Sequence, residues 1–297
     1  MKSIPFFLVV ATFSFSCTSQ SNTIIAEGAE LVLVADGYAF TEGPAPDRGG
    51  NVYFTDQPNN SILKWDAESN TVSTFMNPSG RANGLYIDNN GNLLAAADEK
   101  NELWRIDTDK KVDILLRQFE NKKLNGPNDI WVDKKGGIYF TDPYYQRPYW
   151  ERKEAELEEE SVYYLAPNST KAKVIAANFV RPNGIIGTAD GKTLYIADIG
   201  DKKTYSYTIE NDGSLTSRKL FTEMGSDGMT IDNQGNVYLT GDGVLVFDPK
   251  GNQIEHIKTG QGWTANVTFG GAEQDILFIT ASRAVYTLEM NVKGVRW

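Results

Sequence analysis

A short unit recurs six times along this chain of 297 residues. Each copy sets a turn, built in most copies on Gly with Asn or Asp, ahead of a short apolar strand. The clearest copy runs from Asn125-Gly126-Pro127-Asn128-Asp129 through Ile130-Trp131-Val132-Asp133 into Gly137-Ile138-Tyr139-Phe140-Thr141-Asp142. The copies open at Glu42, Asn83, Asn128, Asn183, Asp227 and Ala265. A fixed period of roughly 40–50 residues predicts a propeller or a solenoid. Within each copy, apolar and polar residues alternate over short runs rich in β-branched and aromatic types, which is strand chemistry. Asp88-Asn89-Asn90-Gly91, Asp133-Lys134-Lys135-Gly136 and Asp232-Asn233-Gln234-Gly235 read as reverse turns.

Most copies end in a further apolar strand, as at residues 71–76, 112–116 and 174–176. Four strands in each of six units predict an all-β, six-bladed β-propeller. The sixth copy shows only three clear strands, whereas Glu30-Leu31-Val32-Leu33-Val34-Ala35 precedes the first copy with no partner of its own. That segment is expected to be the outer strand of the last blade, which closes the ring and removes an open edge. Two stacked β-sandwiches would match the strand count but not the regular period.

Residues 1–16 read as an export signal, with Lys2 ahead of an apolar run, Ile4 to Phe15, too short to span a bilayer. Ser16-Cys17 and the polar tract at 18–22 resemble a bacterial lipoprotein cleavage site, although Ser14 stands where such sites usually carry Leu. The mature chain would begin at a lipidated Cys17, with 17–28 a linker and 29–297 the propeller. An ordinary secretory signal is the alternative. Either reading places the domain outside the cytoplasm: periplasmic, attached to the outer membrane through the lipid, or secreted.

The formal charge of −10 argues against nucleic acid and anionic membrane surfaces as partners. With one Cys and one His, Cys17 and His256, the chain cannot build an internal disulfide framework, a Cys-rich zinc site or a His cage. Any bound metal would be held mostly by oxygen. His256, in the last strand of its unit, reads as structural.

Stacking the copies aligns Glu42, Asn83, Asn128, Asn183 and Asp227, and Ala265 interrupts the column. In a propeller these positions surround the central channel. Several oxygen-bearing side chains in that arrangement suit Ca²⁺ or a similar hard cation. Asn or Asp before Gly is also ordinary turn chemistry. Glu42 is not a turn former, and the coincidence across five copies favours a site. One interval, from Asn128 to Asn183, is longer than the others. Its excess lies in the aromatic stretch 143–150, expected to be a lid or wall over one channel mouth. The charged, helix-favouring run Glu151 to Glu160 follows and reads as a solvated insert.

Glu42-Gly43-Pro44, Asn125-Gly126-Pro127-Asn128-Asp129, Arg181-Pro182-Asn183-Gly184 and Ser226-Asp227-Gly228-Met229 resemble the motifs of the senescence-marker-protein (regucalcin)/gluconolactonase family. The resemblance covers most of the chain after the leader. It implies a channel-bound divalent cation, Ca²⁺ or alternatively Zn²⁺ or Mg²⁺, and hydrolysis of a sugar-derived lactone. Carried over by position, Glu42, Asn183 and Asp227 would be metal ligands. Asn128 would be a fourth ligand or a substrate contact, and Asp227 also the general base. Such chemistry is physically coherent, because a cation polarises the carbonyl and a neighbouring carboxylate takes the proton of the attacking water.

Animal members carry an arginine two residues before the position of Asn128, where this chain has Gly126. Arg81, two residues before Asn83, could compensate, or could be an exposed turn residue. Asn83 would also face the substrate. Tyr144, Tyr145 and Trp150 could stack on a sugar ring or pack the lid. A related metal-propeller hydrolase of aryl esters or organophosphates, and a non-enzymatic Ca²⁺-binding scaffold, remain rival readings. The oligomeric state stays open.

Overall fold

The structure, a computed structural model, describes residues 23–295; the leader and Cys17 lie outside the described residues. Twenty-four strands form six four-stranded antiparallel sheets. The 3₁₀ turn Gln57–Asn59 is the one helical element among the described residues. The inner strands of the blades are Thr41–Pro46, Ala82–Ile87, Ile130–Val132, Pro182–Gly187, Met229–Ile231 and Thr264–Gly270. Each touches the inner strands of both flanking blades, and Thr264–Gly270 returns to Thr41–Pro46, so the ring is closed.

Closure uses the strand expected from the sequence. Val32–Asp36 pairs antiparallel with Ala284–Glu289, with Val32 opposite Thr287 and Asp36 opposite Ala284. Blade six therefore joins three strands from one end of the chain to one from the other. Ahead of that strand, Ile25 bridges Met290, and Ile24 is buried against the same blade.

The second strand of each blade is buried on both faces, because neighbouring blades cover it. This is why Val52–Asp56, Leu93–Ala97 and Ile276–Ala281 read as nearly continuous apolar runs. The outer strands, such as Thr71–Met76 and Gln253–Ile257, are half exposed. Aromatic side chains fill the wedge between blades: Phe54 and Trp65 meet Phe278 where blade one joins blade six. Trp131, Tyr139 and Tyr164 share a cluster with Ile185 and Leu194 where blade three meets blade four. Each such side chain contributes about 1.5–3 kcal/mol through burial.

Three blades end the second strand on an aspartate that ties down the loop ahead of their own inner strand. Asp56 accepts from the backbone N–H groups of Ala39 and Phe40, at 3.2 and 3.1 Å. Asp142 accepts from Asn125 and Gly126, both at 2.8 Å. Asp198 accepts from Val180 and Arg181, both at 2.8 Å. These bonds fix the chain two and three residues before Glu42, Asn128 and Asn183.

The 143–160 insert crosses the same face of the ring. Contrary to the helix-favouring composition of Glu151 to Glu160, this run forms bends rather than a helix and is mostly exposed. Isolated helices of this length gain too little to nucleate without packing. The aromatic half is anchored, as described below.

Candidate active site

The polar column converges, and β-bulges are the device that turns it inward. Glu42, Asn83 and Asn183 are each the second residue of an inner strand. In all three blades the register with the second strand slips at that point. A bulge bends the strand and re-aims its side chain. In blades three and five the regular strand starts only at Ile130 and Met229, so Asn128 and Asp227 stand on the lead-in. Glu42, Asn83, Asn128 and Asp227 line one cavity of about 270 Å³. Phe40, Tyr145 and Trp263 form aromatic walls, and Gln57, Arg147 and Ile199 complete the lining.

Asn183 joins the group by hydrogen bonding. Its Nδ2 donates to Asp227 Oδ1 at 2.7 Å and to Tyr145 Oη at 3.2 Å. With both amide protons used, Asn183 Oδ1 is left buried without a donor. Trp263 Nε1 donates to the other oxygen of Asp227 at 2.6 Å. Glu42 Oε2 accepts from Gly43 N at 2.8 Å and from Asn266 Nδ2 at 3.3 Å.

The next residue in each copy forms a second ring, Gly43, Gly84, Asp129, Gly184, Gly228 and Asn266. Four are glycine because adjacent blades touch there. A Cβ on Gly43 would lie 2.1 Å from Asn83 O, and one on Gly228 would lie 1.9 Å from Asn266 Cγ. The two exceptions, Asp129 and Asn266, come from opposite blades and interact across the channel. They separate the polar cavity from a second one of about 150 Å³, lined largely by apolar inner-strand residues.

Burial drives the electrostatics. It lifts the Glu42 carboxyl well above the usual range, and the charge of Asp227 adds to the effect. It pushes Asp227 up to about 6, against the lowering influence of the Trp263 and Asn183 donors and of Arg147. Burial also pushes Asp129 up to about 7. Carboxyls crowded together this way are stabilised as carboxylates by a cation placed between them.

The donor set fits such a cation. Asn83 Oδ1 and Asn183 Oδ1 are buried acceptors that no protein donor reaches. An orphaned acceptor costs about 1–3 kcal/mol unless something positive satisfies it. With Glu42 and Asp227, these atoms make an all-oxygen cluster of two carboxylates and amides, the ligand chemistry of Ca²⁺ or Mg²⁺ rather than of thiolate-bound zinc. Among the described residues no three carboxylate, His or Cys side chains gather as a metal cage, so the amides carry a large part of the set.

Other residues singled out in the sequence lie elsewhere. Arg81 stacks on Tyr149 at 4.4 Å and donates through Nη1 to Pro58 O at 2.7 Å, outside the cavity lining. Of the two readings of Arg81, the structure has the turn residue, its guanidinium held by the carbonyl of Pro58 and the ring of Tyr149. Tyr144 is also outside, bonded to Gln146 Oε1, and Trp150 is buried beneath the insert with its N–H on Asp98 O. Only Tyr145 of the three aromatic candidates reaches the cavity. His256 sits on an outer strand, its Nε2 2.6 Å from Asp242 O, and has a structural role.

Arg147, Trp263, Phe40 and Asn266 were not picked out as site residues. Phe40 and Trp263 did leave a signal. Each stands two residues before the column position of its copy, the register that Gly126 occupies in blade three.

The profile of the SMP-30/gluconolactonase/LRE-like family matches residues 40–283. The chain belongs to this family. A gluconolactonase of Zymomonas mobilis is 26% identical over 303 aligned residues, covering 92% of this chain and 85% of that protein. The structure of a Xanthomonas campestris gluconolactonase superposes with a TM-score of 0.83 at 29% identity, covering 90% of this chain and 91% of the other. Regucalcin from Agrobacterium tumefaciens, described as calcium-binding, shares the fold with a TM-score of 0.76 at 19% identity, covering 90% of this chain and 95% of the other. The SMP-30/gluconolactonase match spans five whole blades and the two inner strands of the sixth, from Phe40 to Arg283.

Proposed function

We propose that this family member hydrolyses a sugar-derived lactone with a divalent cation held by Glu42, Asn183 and Asp227, and with Asp227 as general base. Asn128 completes the ligand set or contacts the substrate, and Asn83 lines the same wall. One observation carries the reading: two carboxylates and the orphaned amide of Asn83 line a cavity with aromatic walls, and Asn183, whose amide oxygen is also orphaned, is bonded to one of those carboxylates. The gluconolactonase relatives support the choice of a lactone.

A cation bound there supplies Lewis acidity toward the lactone carbonyl and toward a water, and Ca²⁺ suits the oxygen donors best. The rest is the work of the chain. Asp227, which a cation beside it would keep charged, accepts the proton of the attacking water at neutral pH and returns it to the ring oxygen that leaves. Its two oxygens are held by Asn183 and Trp263, so the carboxylate is oriented before the substrate arrives. Phe40, Ile199 and Trp263 exclude bulk water and give the flat face of a sugar ring an apolar surface. The proposed setting is outside the cytoplasm, as residues 1–16 and Cys17 imply. Loss of incorporated fatty acid in Cys17→Ala would test the lipid anchor.

The deciding experiment strips the protein with chelator, reloads it with Ca²⁺, Zn²⁺ or Mg²⁺, and assays D-gluconolactone, an aryl ester and a phosphotriester. Lactone turnover should return with metal, and Asp227→Ala should lose both stoichiometric metal and at least ~10²-fold in turnover. Wild-type lactone hydrolysis by that variant would defeat the mechanism. Tight metal binding without turnover of any substrate would point to a scaffold instead. Faster turnover of the phosphotriester would point to the organophosphatase reading.

A further inference from the structure

We infer that Arg147, carried on the 143–160 insert, is a specificity-determining residue that binds adjacent hydroxyls of a neutral, polyhydroxylated lactone ring; this rests on the lactonase reading above. The case begins with Asp98. Blade two carries Ala97 in the register where blades one, three and four carry Asp56, Asp142 and Asp198 to hold the loop ahead of their own inner strand, and Asp98 stands one residue beyond it. The corresponding backbone N–H, that of Arg81, donates to Asn60 Oδ1 at 2.7 Å instead.

Asp98, one residue further on, collects the insert instead. Asp98 Oδ2 accepts from Arg147 Nε at 2.8 Å, Tyr149 Oη at 2.7 Å and Gln57 Nε2 at 2.9 Å. Its backbone oxygen accepts from Trp150 Nε1 at 2.7 Å. The side chain of Asp98 is 3% exposed and that of Arg147 is 24% exposed, so the anchor is buried and the guanidinium reaches solvent through the cavity it lines. Arg147 also lies 5.4 Å from the centre of the Tyr145 ring, whose other neighbours are Arg181, at 4.9 Å, and the Asn183 amide. The insert therefore holds Arg147 in one place.

The same arrangement explains Gly126. A Cβ there would lie 2.9 Å from Asp98 Oδ1 and 3.2 Å from Trp150 Cη2. The insert has taken the room a longer side chain would need and supplies a guanidinium from another part of the chain. With Nε committed to Asp98, the two terminal nitrogens have no protein acceptor among the described residues. Their planar fork matches two oxygens on neighbouring carbons. Asp98 balances much of the positive charge and the Asp227 carboxylate lies within reach of the rest, so an anionic group gains little here and the directional donors of the fork favour neutral hydroxyls.

Kinetics of Arg147→Met and Arg147→Lys on D-gluconolactone and on unsubstituted δ-valerolactone test this. For both variants the preference for the hydroxylated ring should fall about 10- to 100-fold, chiefly through KM. An equal loss on both lactones, or full retention by Arg147→Lys, would overturn it. Tyr149→Phe removes another anchor to Asp98 without touching the cavity; the same loss of preference in that variant would assign the effect to insert folding and overturn the proposal. Calorimetry with anhydroglucitol, a ring polyol without the carbonyl, reads recognition independently of turnover. The wild-type protein should bind it and Arg147→Met should bind it at least ~10-fold more weakly; no binding by the wild-type protein, or equal binding, overturns the assignment. If no lactone is hydrolysed while this difference in binding appears, the lactonase reading fails and the role of Arg147 in recognition stands.

Discussion

Trp263 Nε1 donates to Asp227 Oδ2 at 2.6 Å, joining the loop ahead of blade six to the lead-in of blade five. The bond stabilises the charged form of the carboxyl and so opposes the effect of burial. It also spends one of the two Asp227 oxygens on orientation, and Asn183 engages the other.

Trp263→Phe keeps most of the wall and removes the N–H. The Asp227 pKa should then rise, because a donor to the charged form has been lost. The acidic limb of kcat/KM should move to higher pH, with a fall of roughly three- to tenfold at neutral pH. An unmoved limb in the pH–rate profile would show that Trp263 is wall only.

Stability should depend on pH and metal together. Asp227, ordinarily near 3.8, is raised to about 6, and Asp129 and Asp142 are each raised to about 7, all chiefly by burial. A carboxyl raised in the folded state stabilises it fully below the unfolded pKa and loses that contribution as pH rises through the folded pKa. The metal-free protein should therefore melt at a lower temperature at pH 7.5 than at pH 5, by roughly 5 °C or more. Ca²⁺ binds the charged form, so it should raise Tm strongly at pH 7.5 and weakly at pH 5. Scanning calorimetry with and without Ca²⁺ checks both signs.

Gly228→Ala should disturb the second ring. Its Cβ would fall 1.9 Å from Asn266 Cγ, displacing the amide that donates to Glu42. A loss of about 1–3 kcal/mol is expected, with weaker metal binding. In an Asn266→Ala background the same change should cost much less, since the obstructing atoms are gone. Chemical denaturation of the four proteins in this cycle gives the coupling, and additivity would refute the contact.

Removing residues 1–36 should open the ring. Ala284–Glu289 would lose its outer partner and become a bare edge strand. Association through that edge is the expected result. Light scattering and a drop in Tm would reveal it, and a stable monomer with unchanged Tm would show that closure does not depend on this strand.

The sequence by itself determined the ring and most of the column. The six-fold period, the second strands that read as apolar runs, and the orphan strand at Val32–Asp36 each follow from local patterning, because a blade is built from neighbouring segments. Glu42, Asn83, Asn128, Asn183 and Asp227 were found the same way, since equal register in each copy means equal position around the channel. Only the tertiary structure decided which flanking side chains enter. Arg81, Phe40 and Trp263 share one register, yet Pro58 and Tyr149 draw Arg81 outward while Phe40 and Trp263 line the cavity. Arg147 enters because Asp98, 49 residues away in the chain, holds it. Register is a property of one segment, whereas the direction of a loop side chain is set by partners from other blades, and those partners become neighbours only when the ring closes.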